Sequence, residues 1–285
     1  MNIINDLKTM RFWRYFIINS LACLGFTSAS MQFLSMITPK AFSEYYQSQY
    51  FVLSISVLSI IYGVYKSWPR PIEEEYSKPN TKIKIIKGDI LNQDTHIVVG
   101  MCDTFDTQTP NIIARNSLQG QLLEKNFNND IENFDRLIDS KLINMVPIST
   151  IEKIGRKKKY EIGSVITLDH IPKKTYLLAY CNMNEYNEAH GTVDSVWKSL
   201  AKLWESISLS ANGEPVAIPV IGGGQARLSN VLPAQDSIRL IIMSYIFASR
   251  HKKICDELRI IVRPSDYDKL DRMELKSFLS SLRKS

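Results

Sequence analysis

Cysteine is scarce in this 285-residue chain, and the four present (Cys23, Cys102, Cys181, Cys255) stand singly. Without a CxxC pair or a His and Cys set at zinc-ligand spacing, neither a metal centre nor a disulfide framework is implied, and a reducing compartment fits best. Histidine is sparse too. His96, His170, His190 and His251 have no nucleophile beside them, and only His190-Gly191, ahead of a helical run, stays in view. No residue set calls for a metal or a cofactor. Glycine forms a single cluster, at 222–224, and neither a Walker P-loop nor GxGxxG occurs. Internal repeats and low-complexity tracts are absent as well. The excess of 35 Lys+Arg over 29 Asp+Glu gives +6, but residues 1–68 hold +3 of it and the rest of the chain the other +3. No concentrated basic footprint exists, which argues against nucleic acid as a partner.

Formal charge is itself missing from residues 15–39 and 45–65. As a helix the second run reaches about 30 Å, the thickness of a bilayer's hydrocarbon core. The expectation is a transmembrane helical hairpin over residues 1–68, with spans at about 15–37 and 50–66. Pro39 and Lys40 sit in the polar connection, and aromatic residues (Trp13, Tyr15, Phe16, Tyr50, Tyr62, Tyr65, Trp68) gather near the span ends as an interfacial belt. Lys8, Arg11 and Arg14 before the spans and Lys66 and Arg70 after them outnumber Lys40 between them. The positive-inside rule then puts both termini in the cytoplasm of a multi-pass protein of the cell inner membrane. A secretory signal cleaved near Ser28-Ala29-Ser30 would need a far longer apolar region than usual, with a second span directly behind it. Ser28, Gln32 and Ser35 share one helical face, suited to close helix packing or to lining a water path between associated hairpins. Residues 69–80, with Pro69, Pro71, Glu73-Glu74-Glu75 and Pro79, read as an extended linker.

From residue 81 to 285 strand and helix patterns alternate. Lys82–Lys87, Thr95–Gly100, Glu161–Leu168, Thr175–Cys181, Pro215–Ile221 and Leu258–Val262 read as strands. Between them, apolar residues at spacings of three and four mark helices near 117–138, 193–207 and 238–248, and another follows at 275–282. The order predicts an α/β class: a largely parallel sheet covered on both faces, a three-layer α/β/α domain, with ligands at the carboxyl ends of the strands.

Three residue sets fall at those ends. Gly222-Gly223-Gly224 exposes backbone N–H groups that can approach a phosphate closely, although a Gly triplet equally makes a plain turn. Gly88-Asp89-Ile90 offers a carboxylate to an exocyclic amine and an N–H to a ring nitrogen, or simply a helix N-cap. The loop from Met101 to Gln121 carries Asp103, Thr104, Asp106, Thr107, Ser117 and Gln119, which suits either a ligand or solvent.

Taken in order, Gly88-Asp89-Ile90, a buried strand, a polar loop and helix, and Ala217 to Gly224 before a helix resemble a macro domain, the ADP-ribose-binding module. The stretch Ser117-Leu118-Gln119-Gly120-Gln121, the Trp204 helix and Ile218 to Leu228, behind two spans, resemble the divergent macro domain of membrane-tethered Thoeris anti-phage effectors. That resemblance implies a TIR-domain partner that converts NAD into an ADP-ribose-derived signal, expected to be histidine-ADP-ribose for the two-span type. It further implies ligand-driven homo-oligomers and disruption of membrane lipid. Carried over by position, Asp89 would hold the adenine amine and Ile90 its ring nitrogen. Ile221, Gly222, Gly223 and Gly224 would cradle the diphosphate, with Gln225 and Arg227 just beyond. Thr104, Ser117, Gln119 and Gly120 would border the distal ribose.

The sequence departs from the macro-domain pattern at Met101-Cys102-Asp103-Thr104-Phe105, where an Asn-Ala-Ala-Asn stretch and a Gly-rich segment are usual. Asp103 or Asp106 acting on water would make a membrane-tethered ADP-ribosyl hydrolase, and a protein-binding adaptor is the other alternative. Binding without turnover is the reading preferred here, since a receptor that destroys its signal shuts itself off.

Overall fold

The computed structural model describes residues 10–37, 49–68, 71–170, 173–222, 228 and 230–283. The chain divides into two compact units, Met1–Pro71 and Ile72–Ser285. The first contains helix α1 (Met10–Ile37, 28 residues) and helix α2 (Gln49–Ser67, 19 residues), both long and apolar enough to cross a membrane. They pack side by side, with Gly63 against Ser20. Several of their polar side chains return to their own helix. Asn19 donates to the Tyr15 carbonyl (2.7 Å), Thr27 to Cys23 (2.8 Å), Ser35 to Gln32 (2.7 Å) and Ser56 to Val52 (2.8 Å). Such bonds lower the cost of a hydroxyl or amide in an apolar setting. The connection with Pro39 and Lys40 lies outside the described residues.

The second unit is built on one mixed sheet. Its strands are β1 (Ile72–Ser77), β2 (Asn80–Lys87), β3 (His96–Cys102), β6 (Val165–His170), β7 (Lys173–Met183), β9 (Val216–Pro219) and β10 (Glu257–Val262), in the order β1-β2-β10-β9-β3-β7-β6. The short β8 (Ala189–His190) pairs with β7, and β4 (Ser149–Thr150) with β5 (Lys158–Lys159) in a separate hairpin. The four inner pairings from β2 to β7 are parallel; the outer two, β1 with β2 and β6 with β7, are antiparallel.

Both faces of the inner strands are apolar, and successive residues go to opposite sides. Tyr176 and Leu178 of β7, Val216 and Ile218 of β9, and Leu258, Ile260 and Val262 of β10 join one core. Helices α5 (Val193–Ser210), α6 (Ala234–His251) and α8 (Arg272–Leu282) close it through Leu200, Trp204, Ile241, Tyr245 and Leu275. Leu177, Ala217 and Ile261 face the other core, which α3 (Leu118–Phe127) and α4 (Ile131–Leu142) cover with Leu122, Leu123, Phe134 and Ile138. A short α7 (Pro264–Tyr267) follows β10. The expected three layers are therefore present.

One boundary differs from the sequence reading. Most of residues 69–80, expected as linker, is β1 and the turn into β2, so the folded unit starts at Ile72 rather than near residue 81. The glutamates that suggest a solvated linker occupy an edge strand instead. Ile72 and Tyr76 are buried, the Tyr76 hydroxyl donates to the Leu279 carbonyl (2.8 Å), and Glu74 meets Lys276 (2.9 Å). Charged residues on an edge also discourage pairing with another sheet.

Candidate functional site

The carboxyl ends of β2, β3, β7, β9 and β10 converge on a cavity of about 770 Å³. That volume suits a nucleotide-sized ligand. Gly88, Asp89 and Ile90 line it after β2, and Ile221 and Gly222 after β9, so two of the three sequence sets meet across one space. Ser117 and Gln119 line it as well.

Asp89 caps a single 3-10 turn (Ile90–Asn92): one carboxylate oxygen accepts from the Leu91 amide (3.0 Å) and the other from the Lys125 ammonium (2.8 Å). Burial pushes this carboxyl up, but those two donors outweigh it and hold it below its ordinary value. An anionic acceptor is thus maintained at neutral pH. Each oxygen keeps a further lone pair for an incoming donor, and Ile90 opens the turn, where the first N–H groups have no intrahelical partner. Capping and ligand contact are compatible here.

Opposite, the Ile221 carbonyl accepts from the Ser237 hydroxyl (2.7 Å), which fixes the turn to the first helical turn of α6. Gly222 holds φ at +99°, a conformation that side-chain-bearing residues rarely adopt. Leu232, Pro233, Ala234 and Gln235 bring the N-terminus of α6 to the wall. The first amides of a helix have no intrahelical partner, and with the positive end of this 18-residue helix they make that corner suited to an anion. Gly223, Gly224, Gln225 and Arg227 lie outside the described residues.

Two of the residues expected at the distal ribose stand behind the cavity wall. Thr104 does not line the cavity: it is fully buried and donates to Asp106 (2.5 Å). Gly120 does not line it either. Its amide donates to the Ser117 hydroxyl (3.1 Å), which caps α3, and its α-carbon packs on the backbone of Ala114 and Arg115. Gln119 reaches the cavity while its amide donates to the Asp106 carbonyl.

The carboxylates considered for water activation are also committed elsewhere. Asp103 accepts from the Met183 amide (2.8 Å) and pairs with Lys159 (3.0 Å); burial outweighs both and pushes its carboxyl above the ordinary value. Asp106 accepts from the Arg156 amide (2.8 Å) and pairs with a fully buried Lys153 (2.7 Å). Neither is among the cavity-lining residues. His190 is exposed, 3.7 Å from Glu188.

Sequence reasoning overlooked Arg263, Asp266 and Lys269, which line the cavity after β10, and Tyr180, Met183, Asn187 and Glu188, which line it along and after β7. The strand-end rule, applied to β10 and β7 as it was to β2 and β9, would have found Arg263 and Met183. Nothing local marks the β7–β8 turn, where Asn187 stands at φ +59° and accepts from Lys153 (3.0 Å).

The family profile described as "Thoeris protein ThsA, Macro domain" matches residues 83–263. No curated relative matches the chain. Among solved structures, an asparagine-to-alanine mutant of the Oceanobacillus iheyensis macrodomain is similar at 12% identity and TM-score 0.50, covering 75% of this chain and 96% of that one. A glycine-to-valine mutant of the same macrodomain with ADPR is similar at 12% identity and TM-score 0.49, over 75% and 100%. The same macrodomain with ADP is similar at 11% identity and TM-score 0.48, over 76% and 97%. At such identities the likeness concerns the fold.

Proposed function

The chain belongs to the Thoeris ThsA macro-domain family, and from that premise we propose that it is a membrane effector whose macro domain senses an ADP-ribose-derived nucleotide. The observation that carries this reading is the cavity at the strand ends, with the Asp89-Ile90 turn on one side and the Ile221-Gly222 turn with the α6 N-terminus on the other. In the proposed pose Asp89 accepts from the adenine amine and Ile90 donates to a ring nitrogen. The backbone from Ile221 to Gly224 holds the diphosphate, with Gln225 and Arg227 adjoining it. Ser117 and Gln119 border the distal ribose, while Thr104 and Gly120 support that loop from behind.

The signal is made by a TIR-domain partner, with histidine-ADP-ribose as the expected form, and is bound without turnover. Support for binding over hydrolysis comes from Asp103 and Asp106, whose oxygens serve buried ion pairs. The two apolar helices are the membrane hairpin of an inner-membrane protein, with both termini cytoplasmic. Ligand-driven oligomerisation gathers the hairpins and disrupts the bilayer. A ligand that moves a population from about 1:99 to 99:1 needs roughly 5.5 kcal/mol of differential affinity, which several protomers sum more readily than one.

The test places full-length protein in dye-loaded liposomes with ADP-ribose or histidine-ADP-ribose, with Gly222→Val as control. We expect leakage that needs ligand and fails in the variant, with the nucleotide recovered intact by mass spectrometry. Recovery of hydrolysed ligand would favour the membrane-tethered hydrolase. Absence of any nucleotide binding would favour the protein-binding adaptor.

A further inference from the structure

Two of the four cysteines, far apart in sequence, meet in the floor of the cavity. Cys102 ends β3 and Cys181 lies near the end of β7, and the parallel register makes them partners across an irregularity after Met101. Their sulfurs are 3.1 Å apart, and both residues line the cavity. We propose that Cys102 and Cys181 form a dithiol modification site, which a peroxide-class oxidant entering the cavity converts to an intrachain disulfide.

Geometry favours this over the ordinary role of cysteine as a small core residue. Register partners on neighbouring strands have α-carbons roughly 5 Å apart, inside the range of about 4.4–6.8 Å that disulfides span. The backbone at that point is already pinned, since the Asp103 amide donates to the Cys181 carbonyl (2.9 Å). Bond formation therefore draws the sulfurs together by only about 1 Å. The other two cysteines differ. Cys255 is fully buried with the Tyr245 hydroxyl at 3.3 Å, and Cys23 lies on α1. Neither has a second sulfur in contact among the described residues.

The division of labour follows from exposure. Cys102 is half-buried and meets the solvent in the cavity, whereas Cys181 is buried and directs its thiol toward the Met101 carbonyl (3.6 Å). Its hydrogen bond with Cys102 and its burial hold the Cys181 thiol well above its ordinary pKa. Cys102 is thus the thiol that reacts first. Its thiolate attacks one peroxide oxygen, the O–O bond breaks, and the departing hydroxide takes up the proton Cys102 released, leaving a sulfenic acid and water. The Cys181 sulfur then attacks the sulfenic sulfur. The S–O bond breaks, and the leaving hydroxide takes the Cys181 proton as the second water. The sulfur pair loses two electrons and the peroxide gains them; a thiol reductant reverses the change.

The experiment exposes full-length protein in detergent to hydrogen peroxide, alkylates the remaining thiols after denaturation, and maps the peptides without reduction. The expected result is one cross-linked pair, Cys102 with Cys181, that dithiothreitol reverses, with Cys23 and Cys255 recovered alkylated. In Cys102→Ser, Cys181 should be recovered as an alkylated thiol. Peroxide applied to the denatured chain should give mixed pairs instead, which ties the linkage to the fold. Cys102 carried to the sulfinic acid beside a free Cys181, four free thiols at peroxide exposure that oxidises glutathione, or the same mixture of pairs from native and denatured chain would each overturn the assignment. Because the readout is the bond itself, failure here leaves the nucleotide-binding reading unaffected, and failure of that reading leaves the dithiol intact.

Discussion

The turn after β2 and the loop after β3 begin alike, each with a carboxylate and short polar side chains at a strand's carboxyl end, yet they end in opposite environments. After β2 the chain makes one 3-10 turn and leaves, so Asp89 pairs with Lys125, accepts from the nearby Leu91 amide, and stays about 38% exposed beside the cavity. After β3 the chain is covered by the β4–β5 hairpin, and Asp103, Thr104, Asp106 and Thr107 are all at most 2% exposed. A buried carboxylate is tolerated only with partners, and the hairpin supplies Lys153, Arg156 and Lys159. Presentation at a site and support from behind it are thus set by what the chain does afterwards, not by the residue types at the strand end.

The strongest way to break this contrast is Asp106→Ala. It removes the acceptor for the Arg156 amide and Thr104 together with the carboxylate partner of the buried Lys153 ammonium, whose charge is then met by the neutral acceptors Asn187 and the Ile154 carbonyl. The expected loss is about 3–5 kcal/mol of stability, read as a large fall in the thermal midpoint of the full-length protein in detergent. A shift no larger than that of Asp89→Ala would mean that the two strand ends are not different in kind.

The same contrast explains what was legible. The period-two and period-3.6 patterns carried the inner strands and the helices, because in a sheet buried on both faces burial follows directly from apolarity. Asp89, Ile221 and Gly222 were legible for a related reason: a turn that leaves a buried strand and runs only a few residues must stay at its end. The burial of Thr104 was not legible, because its surroundings come from residues some fifty positions later, around Lys153 and Arg156, and no local pattern encodes that return. The edge strand β1 was missed because Glu73-Glu74-Glu75 is polar in a row. Its partners, Lys82, Lys276 and Arg283, lie on other elements.

Asp89→Ala sharpens the comparison from the other side. Loss of the cap costs about 1 kcal/mol, and the Lys125 pair, more than a third exposed and screened by solvent, adds less than about 1 kcal/mol. Stability should therefore change little. Nucleotide affinity should fall about 10- to 150-fold, as loss of a charge-assisted hydrogen bond of roughly 1.5–3 kcal/mol implies. Calorimetry with ADP-ribose beside a melting curve checks both at once. A large fall in melting temperature without a change in affinity would return Asp89 to a purely structural role.

The smallest effect concerns the opposite end of β3, where His96 is buried without a full charge partner. Its Nδ1 accepts from the Lys174 amide (3.1 Å), so the ring proton sits on Nε2, 3.3 Å from the exposed Glu214 carboxylate. Burial lowers the His96 pKa; Glu214 opposes that, and Lys174 and Lys173 reinforce it. The folded protein therefore prefers the neutral ring, and the unfolded chain binds the proton more readily at its ordinary value of about 6.5. The associated stability is present above about pH 6.5 and is lost as the pH falls toward the folded-state pKa. Asp89, also depressed, has the same sign, but its window lies lower, in the carboxylate range. Asp103, raised, has the reverse sign and loses its contribution as the pH rises through its folded-state pKa. A modest decline in melting temperature from about pH 7.5 to 5.5 should thus belong to His96, and His96→Asn, which keeps an acceptor near the Lys174 amide, should flatten it. An unchanged slope in that variant would remove His96 as the source of the decline, because Asp89 titrates below this window and Asp103 acts with the opposite sign.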